Sequence, residues 1–376
     1  MTTSATTQTL IDGITAWMQC ESPTSSPAGV AAMVADMARY ALEGGLQATV
    51  TPLGERVGPL LHVTNRAAGD TRPGLLVLGH SDTVHPVGTL SDNPCRIEGD
   101  RFYGPGGYDM KAGIYLAMTA LRDLAAAGAS AMPIDFVVVP DEETGSHASR
   151  VHIERFAHNA RYALVCEPAR ANGGRCVTAR KGTGMLRLGV KGHAAHAGVA
   201  HEKGRSAIRE MAHQILALEA MTDYARGVTV SVGTVEGGTA TNTVPAQCRC
   251  VVDFRLPDLQ AADELVHKMQ ALRPVGADME LDIEVEVNRP PMVKSEAVVA
   301  LLDRAKASAR HAGFALEDAP MTGGGSDANF TSALGVPTLD GLGADGDGAH
   351  TLQEHILVST LEARLNFWRH LLAHLA

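Results

Sequence analysis

Histidine and acidic residues recur in five short runs of this 376-residue chain. The runs are GHSDTV with His80 and Asp82, GPGGYDMKAG with Asp109, PDEETGS with Glu142 and Glu143, CEP with Glu167, and GAHTLQEH with His350. Imidazole nitrogens and carboxylate oxygens suit zinc, cobalt or manganese as ligands. Two imidazoles and three carboxylates are more than one four-coordinate zinc ion needs, and they suffice for two ions that share a bridging carboxylate. The pattern therefore predicts a hydrolase with two divalent metal ions, in which one remaining acidic residue moves the proton.

Each run by itself also has an ordinary explanation. A His-x-Asp pair is common on surfaces and in cores, Asp109 could be the N-cap of a helix, and Glu142 and Glu143 could be solvated loop carboxylates. The GPGGYD run superficially resembles a phosphate-binding glycine loop, but Asp109 stands where the third glycine would be, and its carboxylate would repel phosphate. The metal-site hypothesis therefore depends on the combination of the runs.

The predicted elements explain how these runs could meet. The apolar stretches GLLVLGH, IDFVVVP and YALVCE are typical of buried strands, and each ends at one of the runs. A further strand is predicted at LLHV, and helical patterns such as MKAGIYLAMTALRDLAAAG alternate with the strands. This alternation predicts an α/β fold with an open, mostly parallel sheet flanked by helices. In such sheets, sites form at the carboxyl ends of the strands.

The pattern changes from about Lys181 onward. A strand, an amphipathic helix, two strands, a second helix and a final strand follow in the order βαββαβ, which is the order of a ferredoxin-like unit. After Pro290 and Pro291 a helical pattern resumes in SEAVVALLDRAKASARHAG, and the chain ends in helix. We therefore predict that residues 181–290 form a small inserted domain, and that residues 1–180 and 291–376 form the metal-binding catalytic domain.

Composition limits the partners and the location of the protein. The net charge of -10 argues against nucleic acid as a partner, because phosphate contacts need clustered lysine and arginine. No apolar run approaches the roughly 20 residues that a membrane helix requires, which predicts no membrane association. The N-terminus lacks the basic start and long apolar stretch of a secretory signal, so a cytoplasmic location is expected.

The runs together resemble the large metallopeptidase family that includes glutamate carboxypeptidases (carboxypeptidase G), acetylornithine deacetylase, succinyl-diaminopimelate desuccinylase and aminoacylases. The matching features also include KGHAAHAG and TGGGSDA, and all of them come in the family's order and span nearly the whole chain. The inserted ferredoxin-like unit is where the family has its lid and dimerisation domain. The resemblance therefore implies a homodimer that assembles through this domain.

The resemblance also implies a ligand set for two divalent ions, zinc in the first place and cobalt or manganese as alternatives. His80 and Glu167 would bind one ion, His350 and Glu143 would bind the other, and Asp109 would bridge both. A cis peptide bond after Asp109 is implied as well.

Three further residues take catalytic roles by the same resemblance. Glu142 would activate the water as general base and then protonate the leaving nitrogen. Asp82 would hydrogen-bond His80 and set the tautomer and orientation of its ring. His196, in AHAG, would reach into the partner subunit's site to stabilise the oxyanion; the alternative is an ordinary surface histidine of the small domain.

Four residues match family positions near the substrate. Arg255 and Arg289 match basic positions that contact the substrate carboxylate, which suits the bidentate geometry of a guanidinium group. For Arg289, an intramolecular salt bridge is the alternative explanation. Asn242 matches a lid residue near the same carboxylate, and Gly324 lies in a GGGS loop whose main-chain amides would approach the substrate.

The leading functional hypothesis is a metallocarboxypeptidase that releases a C-terminal amino acid, with glutamate as the first candidate, from a small peptide or an N-acyl conjugate. A glutamate at position 167, as in the carboxypeptidase and deacylase branches, favours a substrate with a free carboxylate. The alternative is an N-acyl-amino-acid deacylase with the same metals. The LGADGDGAH stretch before His350 departs from the carboxypeptidase branch, which leaves the preferred terminal residue open.

Two other classes fit the sequence less well. A binding module that has lost its activity would be expected to lack Glu142 or a metal ligand, and all of them are present. A cysteine hydrolase would have to use Cys166, which lies in a predicted buried strand with no obvious histidine base.

Overall fold

The computed structural model describes residues 4–128, 130–171 and 173–375. The helices are α1 (Ala5–Met18), α2 (Pro27–Glu43), α3 (Thr89–Asp92), α4 (Ala112–Ala127), α5 (Arg150–Ala157), α6 (Ala207–Glu219), α7 (Leu259–Gln270), α8 (Glu296–His311), α9 (Ala328–Ala333) and α10 (Leu361–His374). In the described part of the chain, no helix combines the length and the apolar character that crossing a membrane requires.

Sixteen strands accompany these helices in the described residues. They are β1 (Gln47–Thr51), β2 (Leu60–Thr64), β3 (Gly74–His80), β4 (Arg96–Glu98), β5 (Arg101–Tyr103), β6 (Ile134–Val139), β7 (Ala160–Val165), β8 (Gly182–Lys191), β9 (Ala195–His196), β10 (Thr229–Gly237), β11 (Thr243–Val244), β12 (Gln247–Leu256), β13 (Glu280–Arg289), β14 (Thr338–Leu339), β15 (Gly346–Asp347) and β16 (His355–Leu357).

The chain folds into two compact units. The first takes in the chain up to Ala179, Val293–Thr322 and the chain from Ser326 onward. The second takes in Arg180–Met292 together with Gly323–Gly325. The second unit thus includes a short segment that follows the inserted part of the chain by about thirty residues.

The first unit is built on a six-stranded sheet in the order β1-β2-β6-β3-β7-β14. The pairs β6–β3, β3–β7 and β7–β14 are parallel, whereas β2 runs antiparallel to both β6 and β1. The central strand β3 is buried along its whole length, as expected for a strand in the interior of a parallel sheet. Helices α2, α5, α8 and α9 contact this sheet. The predicted α/β class with a mostly parallel sheet is therefore confirmed.

Two features of the first unit have no counterpart in the prediction. The edge strand β1 is QATVT, which is largely exposed and lacks a continuous apolar pattern. A second sheet, in the order β15-β16-β5-β4, consists of strands of only two or three residues. Strands this short leave no periodic signal in the sequence, so only long-range pairing defines them.

The second unit has the order β8-α6-β10-β12-α7-β13, and its antiparallel sheet has the order β10-β12-β8-β13. This is the ferredoxin-like arrangement. Alternate residues of β8 and β12 are buried, so one face of the sheet is apolar. That face packs against α6 and α7 around Phe254, which is fully buried. A separate two-stranded ribbon, β9 with β11, also belongs to this unit.

Candidate metal centre

Three neighbouring strands of the first unit carry the predicted ligands at their carboxyl ends. His80 is the last residue of β3, which lies between β6 and β7. Glu142 and Glu143 begin the short helical turn that follows β6. Glu167 lies two residues beyond β7. Because carboxyl ends of adjacent parallel strands meet at one edge of a sheet, these side chains converge there.

Asp109 comes from a tight turn, Gly107–Lys111, that leads directly into α4. Its backbone is not helical, with φ -115° and ψ 92°. The peptide bond between Asp109 and Met110 is cis, as the resemblance implied. The carboxylate is therefore carried by the turn itself, and α4 begins only after it.

Two glycines allow α4 and the loop before His350 to lie close to Glu167. A Cβ atom at Gly113 would lie 2.4 Å from the main-chain oxygen of Cys166. A Cβ atom at Gly343 would lie 2.3 Å from the same oxygen and 2.8 Å from that of Glu167. Any larger residue would force these backbones apart, so close packing at the end of β7 depends on glycine at both positions.

The two histidines face the carboxylates at short distances. His80 Nε2 is 3.2 Å from Asp109 Oδ1 and 3.8 Å from Glu167 Oε1. His350 Nε2 is 3.3 Å from Asp109 Oδ2 and 3.3 Å from Glu143 Oε2. Asp109 thus presents one oxygen to each imidazole, which is the arrangement of a carboxylate that bridges two sites. All five predicted metal ligands come together in the first unit.

Glu142 lies at the His80 side of this cluster. Three potential ligand atoms lie within 4.8 Å of one another, one each from Glu142, His80 and Glu167. The same holds for His80, Asp109 and Glu143. Glu142 therefore sits beside the presumed ligands, at the distance at which a carboxylate can act on a group held between them.

The electrostatics of the cluster favour a bound cation. Burial, together with the nearby carboxylates of Asp109 and Glu142, raises the pKa of Glu167 well above its ordinary value. Hydrogen bonds with Asp109 and Glu143 raise the pKa of His350 to about 10. Glu143 Oε1 is buried and accepts no hydrogen bond within the described residues. An excess of buried negative charge and an unused ligand oxygen are what a divalent cation would compensate, so this donor set fits a metal centre.

Asp82 connects His80 to the two glutamates that follow β6. The resemblance implied that its carboxylate holds the His80 ring; the ring Nδ1 is in fact closer to the main-chain oxygen of Asp82, at 2.9 Å, than to Oδ1, at 3.5 Å. The fully buried carboxylate accepts the main-chain N–H groups of Glu142 and Glu143, both at 3.2 Å, and the hydroxyl of Thr24 at 2.6 Å. Asp82 thus orients both the presumed base and a presumed ligand.

His196 and Asn242 belong to the second unit and lie in one ribbon. His196 is exposed on β9 and pairs with Thr243 of β11. The main-chain oxygen of Asn242 accepts the N–H group of Ala197 at 2.9 Å. The structure therefore brings these two predicted residues together on the surface of the second unit.

Arg255 is already paired with a carboxylate. Its guanidinium group donates to both oxygens of Asp253, each at 2.8 Å, and to the main-chain oxygen of Gly323 at 3.3 Å. A substrate carboxylate at Arg255 would have to compete with Asp253.

Arg289 and Gly324 also lie in the second unit. Arg289 is buried at the end of β13, and a Cβ atom at Gly325 would lie 2.8 Å from its Cδ atom. The main-chain oxygen of Gly324 accepts a hydrogen bond from Arg180 at 3.1 Å. Residues Gly323–Gly325 and both predicted arginines are therefore neighbours within this unit.

Sequence reasoning missed two buried side chains beside the Asp109 turn, His85 and Glu354. Both are polar, and their side chains contact one another across the first unit. Glu354 lies inside the GAHTLQEH run and His85 directly follows GHSDTV, so their position next to presumed ligands was a signal that could have singled them out.

The sequence matches the family model described as Peptidase family M20/M25/M40 over residues 76–374. It is 30% identical over 308 residues to carboxypeptidase G2 of Pseudomonas sp. (strain RS-16), covering 81% of this chain and 74% of that protein. It is 28% identical over 341 residues to succinyl-diaminopimelate desuccinylase of Verminephrobacter eiseniae, covering 84% of this chain and 81% of that protein.

Solved structures share the fold. An aminopeptidase from Bacillus cereus superposes with a TM-score of 0.75 at 24% identity, covering 98% of each chain. A peptidase from Bacillus subtilis, described as dinuclear metal binding, superposes with a TM-score of 0.72 at 13% identity, again covering 98% of each chain.

Proposed function

The chain belongs to peptidase family M20/M25/M40 and is a hydrolase, and we propose that it is a two-metal carboxypeptidase. It would cleave the amide bond next to a free C-terminal carboxylate, with glutamate as the first candidate for the released residue. The observation that carries this proposal is Asp109, whose two oxygens face two different imidazoles while Glu142 lies alongside. The similarity to carboxypeptidase G2 supports the choice of substrate class.

Five residues would hold the metals. His80 and Glu167 would bind one ion, His350 and Glu143 the other, and Asp109 both, with zinc as the first candidate and cobalt or manganese as alternatives. When bound, the ions would polarise the scissile carbonyl and lower the pKa of the attacking water. The unused, buried Oε1 atom of Glu143 supports this assignment.

Glu142 would move the proton. As general base it would take a proton from the attacking water, and as general acid it would deliver that proton to the leaving nitrogen. The hydrogen bond from its main-chain N–H to Asp82 would keep the carboxylate aimed at the reacting atoms.

Residues of the second unit would bind the substrate carboxylate. Arg289 is our first candidate because it is buried next to the GGGS loop, where Gly324 lies. Arg255 is the other candidate, and the substrate carboxylate would have to replace Asp253 at its guanidinium group. Asn242 would contribute from the loop that precedes β11.

We also propose that the second unit is a lid that forms a homodimer. Its edge strand β10 pairs only with β12 among the described residues, and Val235 on this strand is 55% exposed. On the neighbouring helix α6, Leu216 is 71% exposed and Ile208 is 45% exposed. An unpaired strand edge beside exposed aliphatic residues is a surface that a second copy could cover. The partner's His196 would then stabilise the oxyanion.

An N-acyl-amino-acid deacylase is the alternative. The similarity to succinyl-diaminopimelate desuccinylase supports it, since that name describes removal of an acyl group from an amino acid. Both reactions would use the same metals and the same Glu142, and they differ in the group on the acyl side of the bond.

Hydrolysis of a substrate panel by the zinc- or cobalt-loaded protein, with a chelator control, tests the proposal. The panel contains acyl-glutamates, acyl-aspartates, acyl-aromatic amino acids, dipeptides and acetylornithine. Strongest cleavage of a peptide or aroyl bond to glutamate supports the carboxypeptidase, and strongest cleavage of simple acyl groups supports the deacylase. Chelator-resistant cleavage would contradict both.

Glu142→Gln tests the base directly. It should lower kcat by at least about 10²–10⁴-fold while both metals stay bound, because it removes the proton acceptor but adds no bulk. Glu98→Gln, at an exposed position on β4, is the matched control and should leave kcat unchanged. Residual activity of Glu142→Gln within tenfold of the unsubstituted protein would refute the role.

Mixed dimers test the role of His196 across subunits. His196→Ala and Glu142→Gln homodimers should both be nearly inactive. A mixed dimer of the two has one site with both groups intact and should recover part of the activity. No recovery in demonstrated mixed dimers would rule out the role in the partner's site.

A further inference from the structure

Glu354 is a fully buried carboxylate next to the turn that carries Asp109. Its Oε1 atom accepts the main-chain N–H groups of Tyr108 and Asp109, both at 2.9 Å. Its Oε2 atom accepts the N–H group of Gly106 at 3.0 Å. One side chain therefore receives three amide hydrogen bonds from four consecutive residues.

His85 completes the environment of this carboxylate. Its Nε2 atom lies 2.5 Å from Glu354 Oε2, and both side chains are buried. A buried carboxylate is unfavourable unless hydrogen bonds replace its hydration, and here four donors do so. Because both oxygens are fully engaged, the carboxylate has one orientation, and the backbone that it binds is held with it.

We propose that Glu354 is a positioning residue for the metal centre: it holds residues 106–109 so that Asp109 presents one oxygen to His80 and the other to His350. The inference rests on the proposed function, because it assumes that Asp109 bridges two ions. The amide of Asp109 is itself one of the bound donors, so Glu354 sets the position from which that side chain extends.

The loop that supplies His350 also supplies Glu354, four residues later. The same loop therefore contacts Asp109 twice. The imidazole of His350 faces the Asp109 carboxylate, and the carboxylate of Glu354 accepts the Asp109 main-chain N–H group. Hydrogen-bonding partners of ligands typically change metal affinity or activity 10–100-fold when they are removed. A role in folding alone would instead lower stability without a selective effect on the metals.

Glu354→Gln separates these two roles. A carboxamide offers one acceptor oxygen, so it cannot accept the N–H groups of both Tyr108 and Gly106 in the present arrangement. Zinc titration of the metal-free full-length chain against a competing chelator should show binding at the Asp109 centre weakened about 10–100-fold. The cobalt-loaded variant should show a changed visible absorption spectrum, because the ligand geometry changes.

Glu21→Gln is the matched control. Glu21 also accepts two main-chain N–H groups, those of Gly88 and Leu90, both at 2.8 Å, and these donors lie outside residues 106–109. This variant should bind zinc as the unsubstituted protein does. A folded Glu354→Gln variant whose zinc affinity and cobalt spectrum match those of Glu21→Gln would overturn the inference.

A pair of substitutions at His85 decides the matter if Glu354→Gln does not fold. His85→Leu removes the side-chain donor to Glu354 and should weaken zinc binding, whereas His85→Gln keeps a donor and should restore most of it. Equal zinc affinity in both variants would overturn the inference. If the unsubstituted protein binds no zinc, cobalt or manganese, the proposed function fails first, and this inference fails with it.

Discussion

Replacing Asp82 with Asn should free the backbone of Glu142 or of Glu143 from its hydrogen bond with residue 82. The substitution leaves the shape of the residue 82 side chain unchanged. The carboxylate is fully buried and accepts the N–H groups of Glu142 and Glu143, one on each oxygen. Asn offers a single acceptor oxygen, and its NH₂ group would turn a donor toward the other N–H. One of the two glutamates must therefore lose its main-chain hydrogen bond.

The size of the effect follows from these contacts. A buried N–H group left without a partner costs about 1–3 kcal/mol, and the unfolding free energy of the Asp82→Asn variant should fall by this amount. If the turn shifts to relieve the cost, Glu142 moves away from the reacting atoms. We expect kcat/KM to fall about 10–100-fold, which corresponds to about 1.4–2.7 kcal/mol of transition-state stabilisation.

The assay compares Asp82→Asn with Thr24→Val in urea unfolding and in hydrolysis of the preferred substrate. Thr24→Val removes the hydroxyl that donates to Asp82 but leaves both main-chain hydrogen bonds in place. It should cost about 0.5–1.5 kcal/mol in stability and less than tenfold in kcat/KM. An Asp82→Asn variant with kcat/KM within about threefold of the unsubstituted protein, or a Thr24→Val variant that loses as much, would refute the reasoning.

Three further predictions concern packing, pH and metal removal. Gly343→Ala should lower the unfolding free energy by about 1–3 kcal/mol in urea, because its Cβ would lie 2.3 Å from the Cys166 oxygen; an unchanged midpoint would contradict this packing argument. Burial would raise the pKa of Asp135, but hydrogen bonds from His62 and Arg66 outweigh it and lower that pKa. The ionised Asp135 carboxylate therefore stabilises the folded protein. This stabilisation is complete above the unfolded-state pKa of about 3.9 and is lost as the pH falls through the lower, folded-state pKa. Asp135→Asn should accordingly destabilise the protein less at about pH 3 than at about pH 5, and a pH-independent difference would be inconsistent with the pair. Finally, zinc at 100 times the Kd of each site should stabilise the metal-free protein by about 2.7 kcal/mol per occupied site, which a rise in Tm would report; an unchanged Tm with zinc, cobalt and manganese would count against the metal centre.

Much of the fold was predictable because it follows local patterns. The apolar strands that end at His80 and before Glu167 are short, continuous and bounded by helical patterns. The βαββαβ order of the second unit follows from alternation along β8 and β12 and from two amphipathic helices. These signals repeat every two or every three to four residues, so they survive in the linear chain. The edge strand β1 and the small second sheet carry no such repeat.

The sequence by itself determined which residue types follow the strands, and therefore the candidate ligand set of two imidazoles and three carboxylates. Only the tertiary structure decided that Asp109 faces two histidines at once, and that Asp82 holds the backbone of the two glutamates after β6. It alone revealed Glu354, which binds the amide of Gly106 from 248 residues away. Such contacts depend on how distant parts of the chain pack, and a buried carboxylate leaves no periodic pattern that would indicate its partners.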